Sequence, residues 1–442
     1  MAIGRTIAIL CCGLGFSSWA AADPLPAPVW DLFSNNRQPQ AVRAAGDAAP
    51  RTPPQQVDAP KAVPAAPKEA PQIAAKTAVK TAPVALDAVP DDLVIRNMIG
   101  QMIMIGFPSS ARDESWQPRI GRLVRDGKIG GIILFSENVI NPRQVKQLTD
   151  SVQVREGPQP FICVDQEGGA IQRLTANKGF IGTPGAQQIA AMAQAQAFQY
   201  YQRAAQEMAH LGINCNFGPV LDLNVNPDSP IIGGLGRSYS AEPRKVVTYA
   251  RSFIDAHRQA GILTAAKHFP GHGSAKEDSH EQVVNVSRTW KEIELEPFQA
   301  IVKDDPTDMV MIGHLVHPRF SDGDRPSSLS QHTIKDILRD QLDYRGLVVT
   351  DDLDMGAIRK RYGVEQAAVM AIEAGNDIVI VANTKVPDPF IADRVADAVF
   401  RAVAEGRISR TAIEESYSRI LAAKRKLAER RNYVLQSGAR LQ

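Results

Sequence analysis

The sequence predicts an α/β protein whose folded part is a single (β/α)8 barrel of the TIM type, preceded by a disordered Pro/Ala-rich segment. Three observations predict it. Eight short apolar runs recur between Gln101 and Val381, each the length of a buried strand. The runs are apolar throughout rather than alternating, as strands of a parallel sheet covered on both faces must be. Amphipathic helical stretches separate them, and polar residues gather at the C-terminal ends of the runs, a placement that favours a closed barrel over an open doubly wound sheet.

Residues 1–22 read as a signal peptide. Arg5 supplies the positive start, Thr6 to Phe16 is mostly apolar, and Ala20-Ala21-Ala22 offers a small-residue cleavage site before Asp23. The apolar run is too short to span a bilayer. Leu10 before Cys11 argues against a lipid-modified cysteine. Residues 23–90 form a linker. From Ser34 to Pro90 it is rich in Pro and Ala without hydrophobic period, so it buries too little apolar surface to offset its ordering entropy. Export predicts a periplasmic or secreted protein. Two cysteines remain after cleavage, Cys163 and Cys215, and both sit in apolar runs; the expectation is two buried thiols.

The barrel is expected over residues 91–430, with a short tail at 431–442. Its strand runs are Gln101–Phe107, Ile129–Phe135, Phe161–Asp165, Ile213–Val220, Ile262–Lys267, Met309–Gly313, Leu347–Asp351 and Asp377–Val381. Helix ends are legible between them. Asn141 is a capping residue before Pro142 at the first helical position. Ser240 is expected to cap the helix that ends at Gly261, and Ser330 the helix Gln331–Leu342. Gly375 closes the helix around Ala367–Ala374 in a left-handed terminus. Ser409 to about Arg430 reads as one amphipathic helix on the barrel.

Acidic and basic residues nearly cancel, for a formal charge of +2. That balance speaks against a nucleic-acid partner, which demands a strongly basic surface. Asp165, Lys267, His268, His314 and Asp351 lie at or just past the ends of different strand runs. Lys267-His268-Phe269-Pro270-Gly271-His272-Gly273, followed by Asp278-Ser279-His280, is the densest chemical segment. Three histidines invite a zinc reading, but Pro270-Gly271 breaks the helix on which His268 and His272 would have to chelate. No metal and no cofactor is expected. The other reading is a loop after a strand, with Asp278 orienting His280 as a general acid.

This segment resembles glycoside hydrolase family 3, and within it the bacterial β-N-acetylglucosaminidases, or β-hexosaminidases. Val164-Asp165-Gln166-Glu167-Gly168-Gly169 with Gln172-Arg173 agrees, as do Asn216-Phe217-Gly218-Pro219-Val220-Leu221-Asp222, Gly236-Arg237-Ser238-Tyr239 and Thr350-Asp351-Asp352-Leu353-Asp354-Met355. The resemblance covers about Asp91 to Ala428. It implies Asp351 as nucleophile, with Asp352 its nearby rival, and His280 as acid/base with Asp278 as its partner. It further implies Asp165, Arg173, Arg237, Lys267 and His268 as sugar-binding residues, while His314 is expected to line the site. The expected reaction is retaining, exo-acting removal of terminal β-linked N-acetylglucosamine, from peptidoglycan fragments, by a monomer with no membrane span after signal cleavage. Within glycosidases the runners-up are a β-glucosidase and a chitooligosaccharide-directed enzyme; a metal-dependent hydrolase and an idle wall-binding protein are the other classes. Glu167 is the fallback acid. The glycines near Asp278 and His280 suggest a loop able to stand away from Asp351 until substrate closes it.

Overall fold

The computed structural model describes residues 91–108, 115–154, 157–304 and 307–436. The expected signal peptide and linker lie outside the described residues.

All eight strand runs form strands, and they close into one parallel barrel. In chain order the strands are β1 (Ile103–Ile105), β2 (Gly131–Leu134), β3 (Phe161–Val164), β4 (Cys215–Asn216), β5 (Leu263–Phe269), β6 (Val284–Asn285), β7 (Met309–Ile312), β8 (Leu315–Val316), β9 (Leu347–Asp352) and β10 (Ile378–Val381). The barrel runs β1-β10-β9-β7-β5-β4-β3-β2. β6 and β8 pair outside it, with Asn285 opposite Val316, and so join the loops that follow β5 and β7. Every residue of β1, β2, β3, β5, β7 and β10 is buried. Side chains on one face fill the barrel and those on the other pack under helices, which is why the runs do not alternate.

Helices α1 (Asp91–Gln101), α2 (Trp116–Arg125), α3 (Pro142–Val152), α4 (Ala186–Ile189), α5 (Gln194–His210), α6 (Pro243–Gln259), α7 (Glu296–Lys303), α8 (Gly356–Tyr362), α9 (Val364–Ala374), α10 (Ile391–Ala404) and α11 (Arg410–Gln436) surround it. Asn141 caps α3 by accepting the Gln144 N–H at 2.9 Å, and Gly375 ends α9 at φ 110°. Two expected ends shift. Ser240 does not cap α6: its hydroxyl accepts the N–H of Glu242, and the helix starts at Pro243. Ser330 does accept the Thr333 N–H, at 3.2 Å, but the segment it starts, His332–Gln341, winds as a π-helix.

Helix α11 continues to Gln436, so residues 431–436, expected as tail, are helical. It is fastened to the N-terminal end of the barrel by buried acids at the feet of two strands. Arg430 makes a two-pronged pair with Asp308 at 2.9 and 2.8 Å, and Arg419 reaches Asp377 at 2.8 Å. Ile413, Ile420 and Leu427 are buried against the barrel. No described helix is long and apolar enough to cross a membrane.

The expectation of two free thiols is overturned. Cys163 and Cys215 are register partners on β3 and β4 and form a disulfide, their Cα atoms 4.4 Å apart. Both are fully buried. Fifty-two residues separate them in sequence, and only strand pairing brings their Cβ atoms within bridging range.

Candidate active site

The C-terminal ends of the strands converge on a charged cluster. Lys267, near the end of β5, donates to Asp165 at 2.7 Å and lies 2.7 Å from Glu167. Arg173 donates to the other oxygen of Asp165 at 3.1 Å. Arg237 forks onto Glu167 with two bonds of 2.8 Å and also donates to the Ile231 carbonyl. Arg173, Asp165, Lys267, Glu167 and Arg237 therefore form one continuous ion-pair chain that joins the loops after β3 and β4 through β5. Burial pushes both carboxyls up, but Lys267 with Arg173 outweighs it at Asp165, and Arg237 with Lys267 at Glu167, so each is held below its ordinary range. Burial likewise disfavours charged Lys267, and Asp165 and Glu167 more than restore it.

The chain is most open at Asp165 and Arg173, whose side chains are 15% and 20% exposed, against 3% for Lys267. Arg173 Nε is buried with no hydrogen-bond partner among the described residues. This is a donor available to a bound hydroxyl, because a buried N–H left unmatched is costly.

Asp222, which sequence reading quotes without a role, organises the next layer. Its Oδ2 accepts His268 Nδ1–H at 2.6 Å, and its Oδ1 accepts the backbone N–H of His268 and of His272 at 3.2 and 2.8 Å. Asp222 is fully buried; burial raises its pKa and His268 and His272 more than reverse that. His268 Nε2 is then left to accept from Arg237 at 3.4 Å. The clue in the sequence is a carboxylate inside the apolar run Val220-Leu221-Asp222-Leu223, which folding tolerates only if it is fully hydrogen-bonded.

Asp351 and Asp352 end β9, and the structure separates their roles. Asp352 Oδ1 accepts the N–H groups of Asp354 and Ala382, at 2.9 and 2.8 Å, and so ties β9 to the end of β10. Burial, with Asp354 and Asp351 nearby, pushes Asp352 up to about 7. Asp351 differs: burial would raise it, but the imidazoles of His314, His268 and His280 and the Asp352 N–H favour its anion and hold it low. His314 lies fully buried behind this strand end. Its Nδ1 meets Ser328 Oγ at 2.7 Å and its Nε2 the Asp352 carbonyl at 2.9 Å. Both ring nitrogens are used within the protein, so His314 braces the strand end rather than offering a free nitrogen to a ligand.

His280 and Asp278 come from the loop between β5 and β6. Asp278 Oδ1 accepts the His280 backbone N–H at 2.8 Å and its Nδ1–H at 2.7 Å. This leaves Nε2 free, on a side chain that is 57% exposed. The loop is fastened twice. His272 Nε2 lies 3.2 Å from the hydroxyl of buried Ser279, and the Gly356 N–H donates to the His280 carbonyl at 3.0 Å. Burial lowers His272 to about 4, so its ring is neutral. The loop that carries the dyad is thus tied to the start of α8, the helix that follows Asp351. Sequence reasoning missed Asp222 and Gly356 because each acts between segments distant in sequence, and the His272–Ser279 link because it depends on how the loop after β5 folds back on itself.

Among the described residues no group of three or more His, Cys, Asp or Glu side chains is placed to hold a metal ion.

Comparison with known proteins supplies the family. Residues 94–423 match the glycosyl hydrolase family 3 N-terminal domain. The β-hexosaminidase A of Pseudoalteromonas piscicida is 32% identical over 378 residues, which cover 76% of this chain and 62% of that relative. Two solved structures share the architecture. A family 3 β-N-acetylglucosaminidase from Paenibacillus sp. str. FPU-7 is 34% identical with a TM-score of 0.69, over 75% of this chain and 62% of that one. A β-N-acetylhexosaminidase from Beutenbergia cavernae is 28% identical with a TM-score of 0.66, over 75% of this chain and 98% of that one. The chain therefore spans 62% of the length of the first two relatives and nearly all of the third. With most of its length matched to one domain and an eight-stranded barrel carrying that domain's motifs, the chain belongs to glycosyl hydrolase family 3.

Proposed function

We propose that the protein is a retaining, exo-acting β-N-acetylglucosaminidase that removes terminal β-linked N-acetylglucosamine through a glycosyl-Asp351 intermediate. The observation that carries this reading is the joining of two chemistries at one mouth. A carboxylate kept anionic ends β9, and an imidazole oriented by a carboxylate is latched to the helix that follows it. In the first step an Asp351 oxygen attacks the anomeric carbon, the bond to the leaving oxygen breaks, and His280 Nε2–H protonates that oxygen. In the second, His280 Nε2 takes a proton from water, the water oxygen bonds to the anomeric carbon, and the ester to Asp351 breaks. Asp278 stabilises the imidazolium that alternates with the neutral ring.

Arg173 and Asp165, the open end of the ion-pair chain, supply charge-assisted hydrogen bonds to sugar hydroxyls. Lys267, Arg237 and His268 hold them in place. Glu167 is a poor acid, since Arg237 and Lys267 occupy its carboxylate. The relatives' names, β-hexosaminidase and β-N-acetylglucosaminidase, favour N-acetylglucosamine over glucose. We infer peptidoglycan fragments as the source and a periplasmic or secreted location. The disulfide supports that location, since such bonds persist in oxidising compartments, and the basic start, apolar run and Ala20-Ala21-Ala22 occur in the order of an export signal.

The test compares leaving groups. Protonation matters when the leaving group is a sugar and little when it is an activated phenol. His280→Ala should therefore lose roughly a hundredfold or more on a GlcNAc disaccharide and far less on the nitrophenyl glycoside. Asp278→Ala should follow the same pattern more mildly. Equal losses on both substrates would move the acid elsewhere.

A further inference from the structure

A second cavity lies at the opposite end of the barrel from the charged mouth. It occupies about 910 Å³ beneath the C-terminal half of α11, at the feet of β3, β4 and β5. Ile162, Ile213, Ile262, Leu421 and Leu427 form much of its wall, and among the described residues no Asp or Glu lines it. Its charged lining is all basic: Lys424, Arg425 and Arg431, with His210 beside them.

The distribution of charge along α11 is what makes this cavity distinctive. Arg410, Arg419, Lys426 and Arg430 of that helix are each paired with an acid of the barrel or of α1. Arg425 and Arg431 make no ion pair among the described residues. Lys424 is buried, and among the described residues its ammonium donates only to neutral oxygens, Gln101 Oε1 at 2.7 Å and the Gly130 carbonyl at 3.0 Å, with the Phe161 ring 4.9 Å away. Isolated buried cations are expensive, and Lys424 is pulled down by burial to about 7. An apolar cavity of this size with a few convergent charges of one sign has the make-up of a small-molecule site.

We propose that this cavity binds a free long-chain fatty carboxylate, its acyl chain against the Ile and Leu wall and its head group against the basic set of α11. The apolar wall accepts the chain, and the charged side chains that line the cavity among the described residues are all basic, which suits an anionic head group. The site is independent of the hydrolytic chemistry at the other end.

Laurate, below the concentration at which it forms micelles, is the probe, titrated calorimetrically into the full chain. Saturable one-to-one binding is expected, with dodecanol weaker and dodecyltrimethylammonium weaker still. Ala428→Trp places a bulky ring in the cavity from an exposed helix position and should weaken laurate at least tenfold. Arg425→Glu with Arg431→Glu should weaken laurate by about tenfold or more while sparing dodecanol. Unchanged thermal melting and unchanged hydrolysis of a nitrophenyl glycoside show that these variants fold. Absence of saturable laurate binding overturns the proposal, as does binding indifferent to either variant. Binding to anionic phospholipid vesicles without binding of free laurate would assign the surface to a membrane instead. A wild-type dimer that Ala428→Trp converts to monomer would assign it to a second copy of the chain.

Discussion

The backbone N–H of Gly356 donates to the carbonyl of His280 at 3.0 Å, so the loop that carries the acid/base dyad is moored to the residue that opens the helix after Asp351. Gly356 has no side chain for a reason. A Cβ there would lie 2.6 Å from the Glu281 carbonyl oxygen and 2.7 Å from that of His280. Both are backbone atoms, so the loop itself must move to admit it. Gly356→Ala should retain the fold but displace His280. We expect a loss of about a hundredfold on a GlcNAc disaccharide, with a much smaller loss on an aryl glycoside whose leaving group needs no proton. Wild-type activity on the disaccharide would show that the mooring is irrelevant.

Asp351 and Asp352 are adjacent but not equivalent. Asp351→Asn should bind sugar and lose turnover by roughly three orders of magnitude or more, as removal of a nucleophile does. Asp352 uses a single oxygen to accept both of its backbone N–H bonds, and Asn presents the same oxygen. Asp352→Asn should therefore stay within about tenfold of wild type near pH 6. A 2-fluoro sugar that traps the intermediate should label Asp351, read by peptide mass. A label on Asp352 would reverse the assignment.

The same pair sets a pH dependence of stability. In the folded protein Asp352 titrates at about 7, above its ordinary value of 3.8. The folded state thus holds a proton that the unfolded chain has released. The stability contributed by that proton is complete below about pH 4 and is lost as pH rises through about 7. Asn mimics the protonated form at every pH. Asp352→Asn should gain on wild type across this window by roughly 2 kcal/mol or more. Urea unfolding at pH 5 and pH 8.5 measures the difference, and a gap that does not widen with pH would contradict the burial argument.

The disulfide closes a separation of 52 residues. Restricting the unfolded chain over a loop of that size is worth at most about 4 kcal/mol. Cys163→Ala with Cys215→Ala, or reduction during unfolding, should lower stability by about 2–4 kcal/mol and leave the eight-stranded barrel intact. Identical unfolding curves with and without reductant would mean that the bond is absent from the protein in solution.

Strand length, apolar runs and helix ends are local properties, and they determined the barrel. Ile103–Ile105 or Met309–Ile312 can be read as buried parallel strands because covering both faces removes alternation. The same logic placed Asp165, Lys267, His268 and Asp351 at one end of the barrel, where active sites are built. What a carboxylate does there was not local. Asp351 and Asp352 differ by one position in sequence, yet one of them accepts backbone N–H bonds from Asp354 and from Ala382 at the end of the neighbouring strand, while the other is held anionic by three imidazoles. Cys163 and Cys215 read as separate thiols until strand pairing put them opposite each other. Asp222 and Gly356 acquired roles only when segments following different strands met. Local propensity fixes which segments are strands and helices, but electrostatics and close packing act through space, and their outcome depended on which distant side chains the closed barrel brought within a few ångströms.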